Sequence, residues 1–459
     1  MTARVPGVLA RRIPSRLPAA RMDLGFETIG NACIIVHDRS PVLATDPWLF
    51  GPAYFGSWRL SHAVPDEQIE HVKRCRHLWI SHGHPDHLSL PSLELLRDKT
   101  ILLPDHYGGR IARELRALGF QVQTLPCGQW FPVSDRVRVA SLANYNQDAT
   151  LIMDVDGHLI IDANDAGNRG SGRFLARERH RFHKRTVLAC LTGYGDADMI
   201  HFFDEQGNAV PPAAAAKTPC GPGIKALLDH YDIDYFAPSS SMHRYNRTDS
   251  GWADAYATPV EAHALGFDGD RRTLLPAFVR FDLHTGRHER IDPPANDGPL
   301  RPPEEFGDDW HTPLERGDVD RLRAYFGRVE HLRDHIGYLN FRVGGKDHVV
   351  DLDRRHPRGV TFATPARSLM QAIEWGAFDD ILIANFCRTT LHGDWWGKQG
   401  AEALYPHFTP FVAKFGDNGG AYNAAELRAY FAEYLRRGYT EFTADRAEQE
   451  MRQALQPYL

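Results

Sequence analysis

Between Ser81 and Ser89 the chain reads Ser81-His82-Gly83-His84-Pro85-Asp86-His87-Leu88-Ser89. Imidazoles and a carboxylate packed this closely form a ligand set for transition metals. Imidazole suits zinc and iron alike, and an added carboxylate moves the preference towards harder ions such as iron or manganese. The residues just before, His77–Ser81, read as a strand, and a helix is expected from near Pro91. A strand end is a rigid place to hold ligands. Strand alternation sends His82 and His84 to the same side, towards one ion. The turn after Pro85 then aims Asp86 and His87 at a second position.

The elements around this loop follow from hydrophobic periodicity. Thr28–His37, with the apolar run Ala32-Cys33-Ile34-Ile35-Val36, and Val42–Asp46 predict a strand pair. Further strands are expected at Ile101–Leu103, Phe120–Leu125, Val137–Leu142, Thr150–Val155, His158–Asp162, Leu188–Leu191 and Tyr235–Ala237. Asp156-Gly157 provides a hairpin turn. Helices are expected at Asp66–Lys73, Arg110–Leu118 and Gly223–His230. Strands leading and helices alternating in two passes suit two sheets packed face to face with helices outside, an αββα sandwich of the α/β (α+β) class.

The stretch Ile291–Glu305 is rich in Pro, Gly and Asp and marks a boundary. The expected division is a disordered N-terminus at 1–22, a metal-binding domain at 23–292, a linker at 293–305 and a smaller C-terminal α+β domain at 306–459. That last part shows strands at Tyr338–Val343, Val349–Leu352 and Val360–Ala363, and a helix Ser368–Trp375 closed by Gly376. Asn423 and Glu426 suggest a capping box. Behind it Leu427, Tyr430, Phe431, Tyr434 and Leu435 mark one apolar helix face.

Composition narrows the function classes. The 459 residues carry a formal net charge of −6, without the basic balance expected of a nucleic-acid binder. No window is long and apolar enough to span a membrane. The six cysteines are scattered with no C-x-x-C pair, as expected of free thiols in a reducing, cytoplasmic setting.

The H-x-H-x-D-H run resembles the signature of the metallo-β-lactamase superfamily. A closer resemblance rests on Asp46-Pro47-Trp48-Leu49, Gly51-Pro52-Ala53, Trp58, Leu60, His62, and Ile80-Ser81-His82 through Ser89. These are similar to the catalytic domain of the CMP-N-acetylneuraminate hydroxylases, with the likeness running to about residue 390. The superfamily pattern implies three more ligands. The first is a histidine in a loop that here reads Asn144-Tyr145-Asn146-Gln147-Asp148 and holds none. Asp148 is the best substitute, then Asn146, and a carboxylate here would resemble the di-iron member that hydroxylates an amino acid in chloramphenicol biosynthesis. The second is a bridging aspartate, for which Asp165 stands in the implied place, with Asp162 as the alternative. The third is a histidine after a late strand, here His243. His201 is a candidate for lining the pocket, and Arg244, Tyr245 and Arg247 for holding an anionic substrate through planar, bidentate contacts.

The sialic-acid hydroxylases also carry an N-terminal Rieske iron–sulfur domain, which needs paired Cys-x-His and Cys-x-x-His elements. Cys75-Arg76-His77 matches the first, and no second element accompanies it in these residues. Two functions are therefore implied. One is a non-haem di-iron oxygenase that hydroxylates a small polar metabolite, with electrons from a separate reductase or ferredoxin. The alternative is a dinuclear metal-dependent hydrolase, in which the ions lower the pKa of water and Asp86 orients the nucleophile. The expected cofactor is two metal ions, iron first, with zinc or manganese as alternatives. In the C-terminal part, Val349–Leu352, Thr361–Ala363, Ser368-Leu369-Met370 and Trp375-Gly376 resemble a sterol-carrier-protein-like module.

Overall fold

The computed structural model describes residues 22–167, 169–192, 199–268, 271–438 and 446–459. The expectation of a disordered segment at 1–22 falls, apart from Met22, outside the described residues.

An eight-stranded mixed sheet runs in the order His288–Arg290, Val279–Asp282, Leu24–Ile29, Cys33–Asp38, Ser40–Thr45, His77–Trp79, Thr100–Pro104, Gln121–Leu125. A seven-stranded sheet runs Thr273–Leu274, Tyr235–Ser239, Thr186–Leu191, His158–Asn164, Ala149–Val155, Val137–Ala143, Phe131–Pro132. Leu24, Phe26, Trp79 and Leu102 of the first meet Val139, Leu151, Ile160 and Val187 of the second in one buried cluster. The outer face of the first sheet is covered by Val72, Leu93 and Leu115 from the helices Asp66–Arg74, Leu90–Glu94 and Arg110–Ala117. Phe174, Leu175, Ile224 and Leu228, from Gly172–Glu178 and Gly221–Tyr231, cover that of the second. Helices thus lie outside two facing sheets, the αββα arrangement.

One expected element is split. Thr28–His37 forms two strands, because Gly30 adopts φ +66° and the chain folds back so that Ile29 pairs with Cys33. A Cβ at Gly30 would stand 3.2 Å from the Trp48 carbonyl oxygen, so the turn belongs to glycine on two counts. Asp156 and Gly157 take φ +52° and +79°, the left-handed pair that a two-residue hairpin needs.

A third sheet runs Ala209–Val210, His201–Phe203, Arg388–His392, Gly359–Ala363, Tyr338–Val343, Lys346–Asp351. Two of its strands come from before residues 293–305 and four from after. The intervening stretch is strapped down, with Asn296 N–H donating to Ser61 O and Arg301 N–H to Asn246 O. Behind this sheet, Phe326, Phe341, Phe362, Phe378 and Phe408 pack ring against ring.

Near the C-terminus the helix Ala424–Arg437 buries Leu427, Tyr430, Phe431 and Tyr434. Leu435 departs from expectation and is exposed. It lies about 80° round the helix from Leu427, at the edge of the stripe. The capping box is also modified. Asn423 accepts from Ala425 and Glu426 N–H, but Glu426 reaches past it to Tyr422 N–H. The six cysteines are free thiols, and among the described residues no helix is long and apolar enough to cross a membrane.

Candidate metal centre

The strands Ser40–Thr45, His77–Trp79 and Thr100–Pro104 are parallel neighbours, so their C-terminal ends share one edge. Asp46 ends the first of them and the His82 loop follows the second. The Asp46 carboxylate accepts from Ser81 N–H at 2.8 Å and Ser81 Oγ at 2.7 Å, which pins the start of the loop. Across the sandwich, His158–Asn164 delivers Asp165 to the same edge, and the chain after Tyr235–Ser239 delivers His243.

His82, His87 and Asp165 each present one ligand atom within 4.8 Å of the other two. His87 Nε2 lies 3.3 Å from Asp165 Oδ2 and 3.4 Å from Asp86 Oδ2, and His82 Nε2 lies 3.7 Å from Asp165 Oδ2. His84 turns Nδ1 to within 2.9 Å of His82 Nε2. Two of the imidazoles are held from behind by carboxylates: His87 Nδ1 by Asp46 at 2.9 Å and His84 Nε2 by Asp379 at 3.3 Å. That is how metal-ligating histidines are usually oriented, one nitrogen on a carboxylate and the other facing the ion. Asp86 is held in turn by Tyr54 O–H at 2.6 Å and Asn31 N–H at 2.8 Å.

The electrostatics call for a cation. Burial opposes a charged His87, but Asp86, Asp165 and Asp46 outweigh it and push the imidazole well up. Burial, with His87 and His84 nearby, pushes His82 down into its neutral, ligating form. His87 Nε2, Asp165 Oδ1 and His243 Nδ1 are buried with no hydrogen-bond partner. Orphaned donors and acceptors at one edge, set among carboxylates, fit bound metal ions.

Other expected residues lie around this group. Asp148 is buried, and its Oδ2 accepts from Asn146 at 2.8 Å. Burial would raise its pKa, but Lys414, Asn146, Arg169 and His84 lower it, so it stays a carboxylate. His243 lies flat on Trp58, 3.6 Å between centroids and 1° between planes. Burial drops it to about 4, while Asp86 and Asp165 pull the other way. His201 sits on a strand, stacked on Trp252 at 4.0 Å. Asp162 is wholly buried behind the loop, both its oxygens without a partner. Burial and Asp46 push it up to about 8, so it is the protonated member of the two acids.

Of the three residues expected to hold substrate, Arg244 and Arg247 point elsewhere, while Tyr245 lines a small pocket beside His243. On the strand His243–Tyr245, alternation turns Arg244 outward to Asp297 at 3.1 Å. Tyr245 is buried and donates to Asn385 Oδ1 at 2.7 Å. Arg247 is buried between Asp249 and Asp308. A cavity of about 280 Å³ instead borders the loop at Gly83, lined among others by His106, Arg110, Arg113, Arg116 and Gln147.

The sequence also missed residues that support the site. Asp46 stood within the resembling stretch, but nothing local gave its role. Asp379 lies 295 positions after His84. Lys414, from the π-helix Pro410–Asn418, stands 3.9 Å from Asp379 Oδ2. Burial works against its charge, but Asp148, Asp379, Asp165 and Asp380 raise its pKa and keep it an ammonium.

No known family's sequence profile matches the chain. It is 28% identical over 172 residues to the cytidine monophosphate-N-acetylneuraminic acid hydroxylase of Asterias rubens, covering 36% of this chain and 26% of that one. The enzyme of the same name from Sus scrofa is 30% identical over 152 residues, covering 31% and 35%. The chain thus spans a quarter to a third of these relatives' length. Among solved structures, the metallo-beta-lactamase fold protein YhfI from Bacillus subtilis aligns over 57% of this chain and 98% of its own, with a TM-score of 0.32 and 8% identity. The fold is two facing mixed sheets with helices outside, and the sequence likeness to the hydroxylases covers about a third of the chain. In this fold the loop His82–His87 and the strand-end Asp165 lie at one edge of the two sheets.

Carboxylates behind ligating histidines tune affinity as well as orientation. Asp46→Asn keeps the shape but weakens the bond to His87 Nδ1, and metal affinity is expected to fall about 10–100-fold. Competition with a chromophoric chelator measures this, and an unchanged dissociation constant would show that Asp46 serves the loop backbone alone.

Proposed function

We propose that the chain is a metal-dependent enzyme acting as a non-haem di-iron oxygenase, hydroxylating a small polar metabolite with electrons from a separate reductase or ferredoxin. The observation that carries this reading is the sequence likeness to hydroxylases, joined to a carboxylate, Asp148, in the loop where the superfamily pattern asks for histidine. A carboxylate adds negative charge and favours a harder, more oxidised ion pair. His82, His84 and Asp148 would hold one ion and Asp86, His87 and His243 the other, with the Asp165 carboxylate available to the pair. What iron supplies when bound is activation of dioxygen. Asp46 and Asp379 fix the tautomers of His87 and His84, and Lys414 offsets the charge of Asp148, Asp379 and Asp165. Arg113 and Arg116 would draw an anionic substrate to the cavity beside Gly83.

The overall step consumes one dioxygen, two electrons and two protons, placing one oxygen atom in the substrate and one in water. Protein made in iron-supplemented medium is expected to hold about two irons at this centre and to turn over only with dioxygen and a reductant. Asp148→Asn is expected to lower iron content at one position. Two zincs in the wild type and turnover under strict anaerobiosis without reductant would establish the hydrolase alternative. Equal metal content and identity in wild type and Asp148→Asn would remove Asp148 from the ligand set.

A further inference from the structure

Away from the His82 loop, three more imidazoles converge. His331 stands on the short helix Glu330–Arg333, His335 follows four residues on, and His407 arrives from beyond the helix Ala401–Leu404. One ring nitrogen of each lies within 4.8 Å of the other two. His331 Nε2 and His407 Nδ1 are 3.1 Å apart. Two nitrogens bound to one tetrahedral zinc at the usual bond length lie about 3.3 Å apart.

The rings are held from outside. His331 lies flat on Phe411, 3.4 Å between centroids, and His335 stacks on His407 at 3.9 Å. Trp396 leans on His407 at 4.9 Å. His331 Nδ1 faces the Tyr458 hydroxyl at 2.8 Å, which can accept from an Nδ1–H and so leaves Nε2 to face the other two rings. Burial pushes His331 down to about 2 and His407 to about 3, with the neighbouring imidazole of His335 adding to both. The rings are therefore neutral, the form that ligates. The nearby cations are engaged, Lys398 by Glu450 and Arg358 over the Trp396 ring. A hydrogen bond between His331 and His407 would account for two of the rings and leave the third unexplained.

We propose that His331, His335 and His407 form a second metal site, separate from the His82 loop, that takes one Zn²⁺ or a similar borderline divalent ion with water as the fourth ligand. An H-x-x-x-H pair with a third histidine from a distant segment is a zinc-type donor set with no carboxylate in it. His335 and His407 are partly exposed while His331 is buried, which leaves one side open to water and to the incoming ion. The ion would join the segment at 331–335 to His407, and through Tyr458 to the end of the chain.

The test uses the full-length chain, stripped with a chelator and titrated with Zn²⁺ and with Co²⁺. The His335→Gln/His407→Gln variant is expected to bind one equivalent fewer than wild type while keeping the ions of the His82 loop. The complementary His82→Ala/His87→Ala variant, which takes a ligand from each ion position of the loop, is expected to keep one Co²⁺ with the visible absorption of a four-coordinate ion held by three nitrogens and a water, and to gain thermal stability from Zn²⁺. His335→Gln alone, a change at a partly exposed position, should weaken this binding at least tenfold. Equal stoichiometry in wild type and His335→Gln/His407→Gln, or no Co²⁺ bound by the His82→Ala/His87→Ala variant, overturns the proposal.

Discussion

His82→Ala and His84→Ala are each expected to strip metal from the His82 loop and to lower activity about 10³-fold, because an ion of this kind contributes several kcal/mol and about 4 kcal/mol corresponds to that factor. The geometry sets the expectation. His82 Nε2 meets His84 Nδ1 at 2.9 Å and lies 3.7 Å from Asp165 Oδ2, so neither imidazole has a substitute at its place. The loop itself should survive, since it is pinned by Ser81 on Asp46 and by Asp86 on Tyr54 and Asn31. Metal-free wild type and variants should therefore melt within a few degrees of one another and give the same far-ultraviolet circular dichroism. Metal analysis reads the outcome, and full occupancy of the loop in both variants would sink the assignment.

Much of this site was legible because its densest part is local. Spacing alone places His82, His84, Asp86 and His87 at a strand end, and period-two runs such as Tyr338–Val343 and Val137–Ala143 mark strands wherever one face is buried. What escaped is tertiary. Asp379-Asp380 opens the helix Phe378–Ile383, where acids are ordinary first-turn residues. Only packing brings Asp379 to His84, and Lys414 is ordinary until four carboxylates surround it. Arg244 shows the opposite case. Nearness in sequence to His243 suggests a shared pocket, yet strand alternation puts Arg244 on the other face, while Tyr245 lines a small pocket with His243 and donates to Asn385. At Gly30 a buried apolar run on both sides hides the turn from the periodicity.

The largest expected loss of stability lies at Asp308, where three distant segments meet. Its carboxylate is almost wholly buried and accepts from Arg247 Nη1 at 2.6 Å, from Ser368 N–H at 3.0 Å and from Ser368 Oγ at 2.6 Å. Arg247 is fully buried as well, bound on its other side by Asp249 and lying over the Phe386 ring at 4.1 Å. Asp308→Ala leaves Arg247 with one carboxylate in place of two and strands the Ser368 donors. Removing one partner of a buried ion pair typically costs about 3–5 kcal/mol, since the remaining charge stays out of water. The urea midpoint should fall accordingly with the slope unchanged. Asp308→Asn can still accept from Ser368 and is expected to lose less. Glu305→Ala breaks an exposed pair with Arg301, and should stay within about 0.5 kcal/mol of wild type. Ser368 lies in the first turn of the helix Ala366–Trp375, which packs on Phe378–Ile383, the element that carries Asp379 to His84. Metal retention at the His82 loop should therefore weaken in Asp308→Ala and hold in Glu305→Ala. A loss under about 1 kcal/mol in Asp308→Ala would mean that water or a rearranged Asp249 takes over the charge of Arg247.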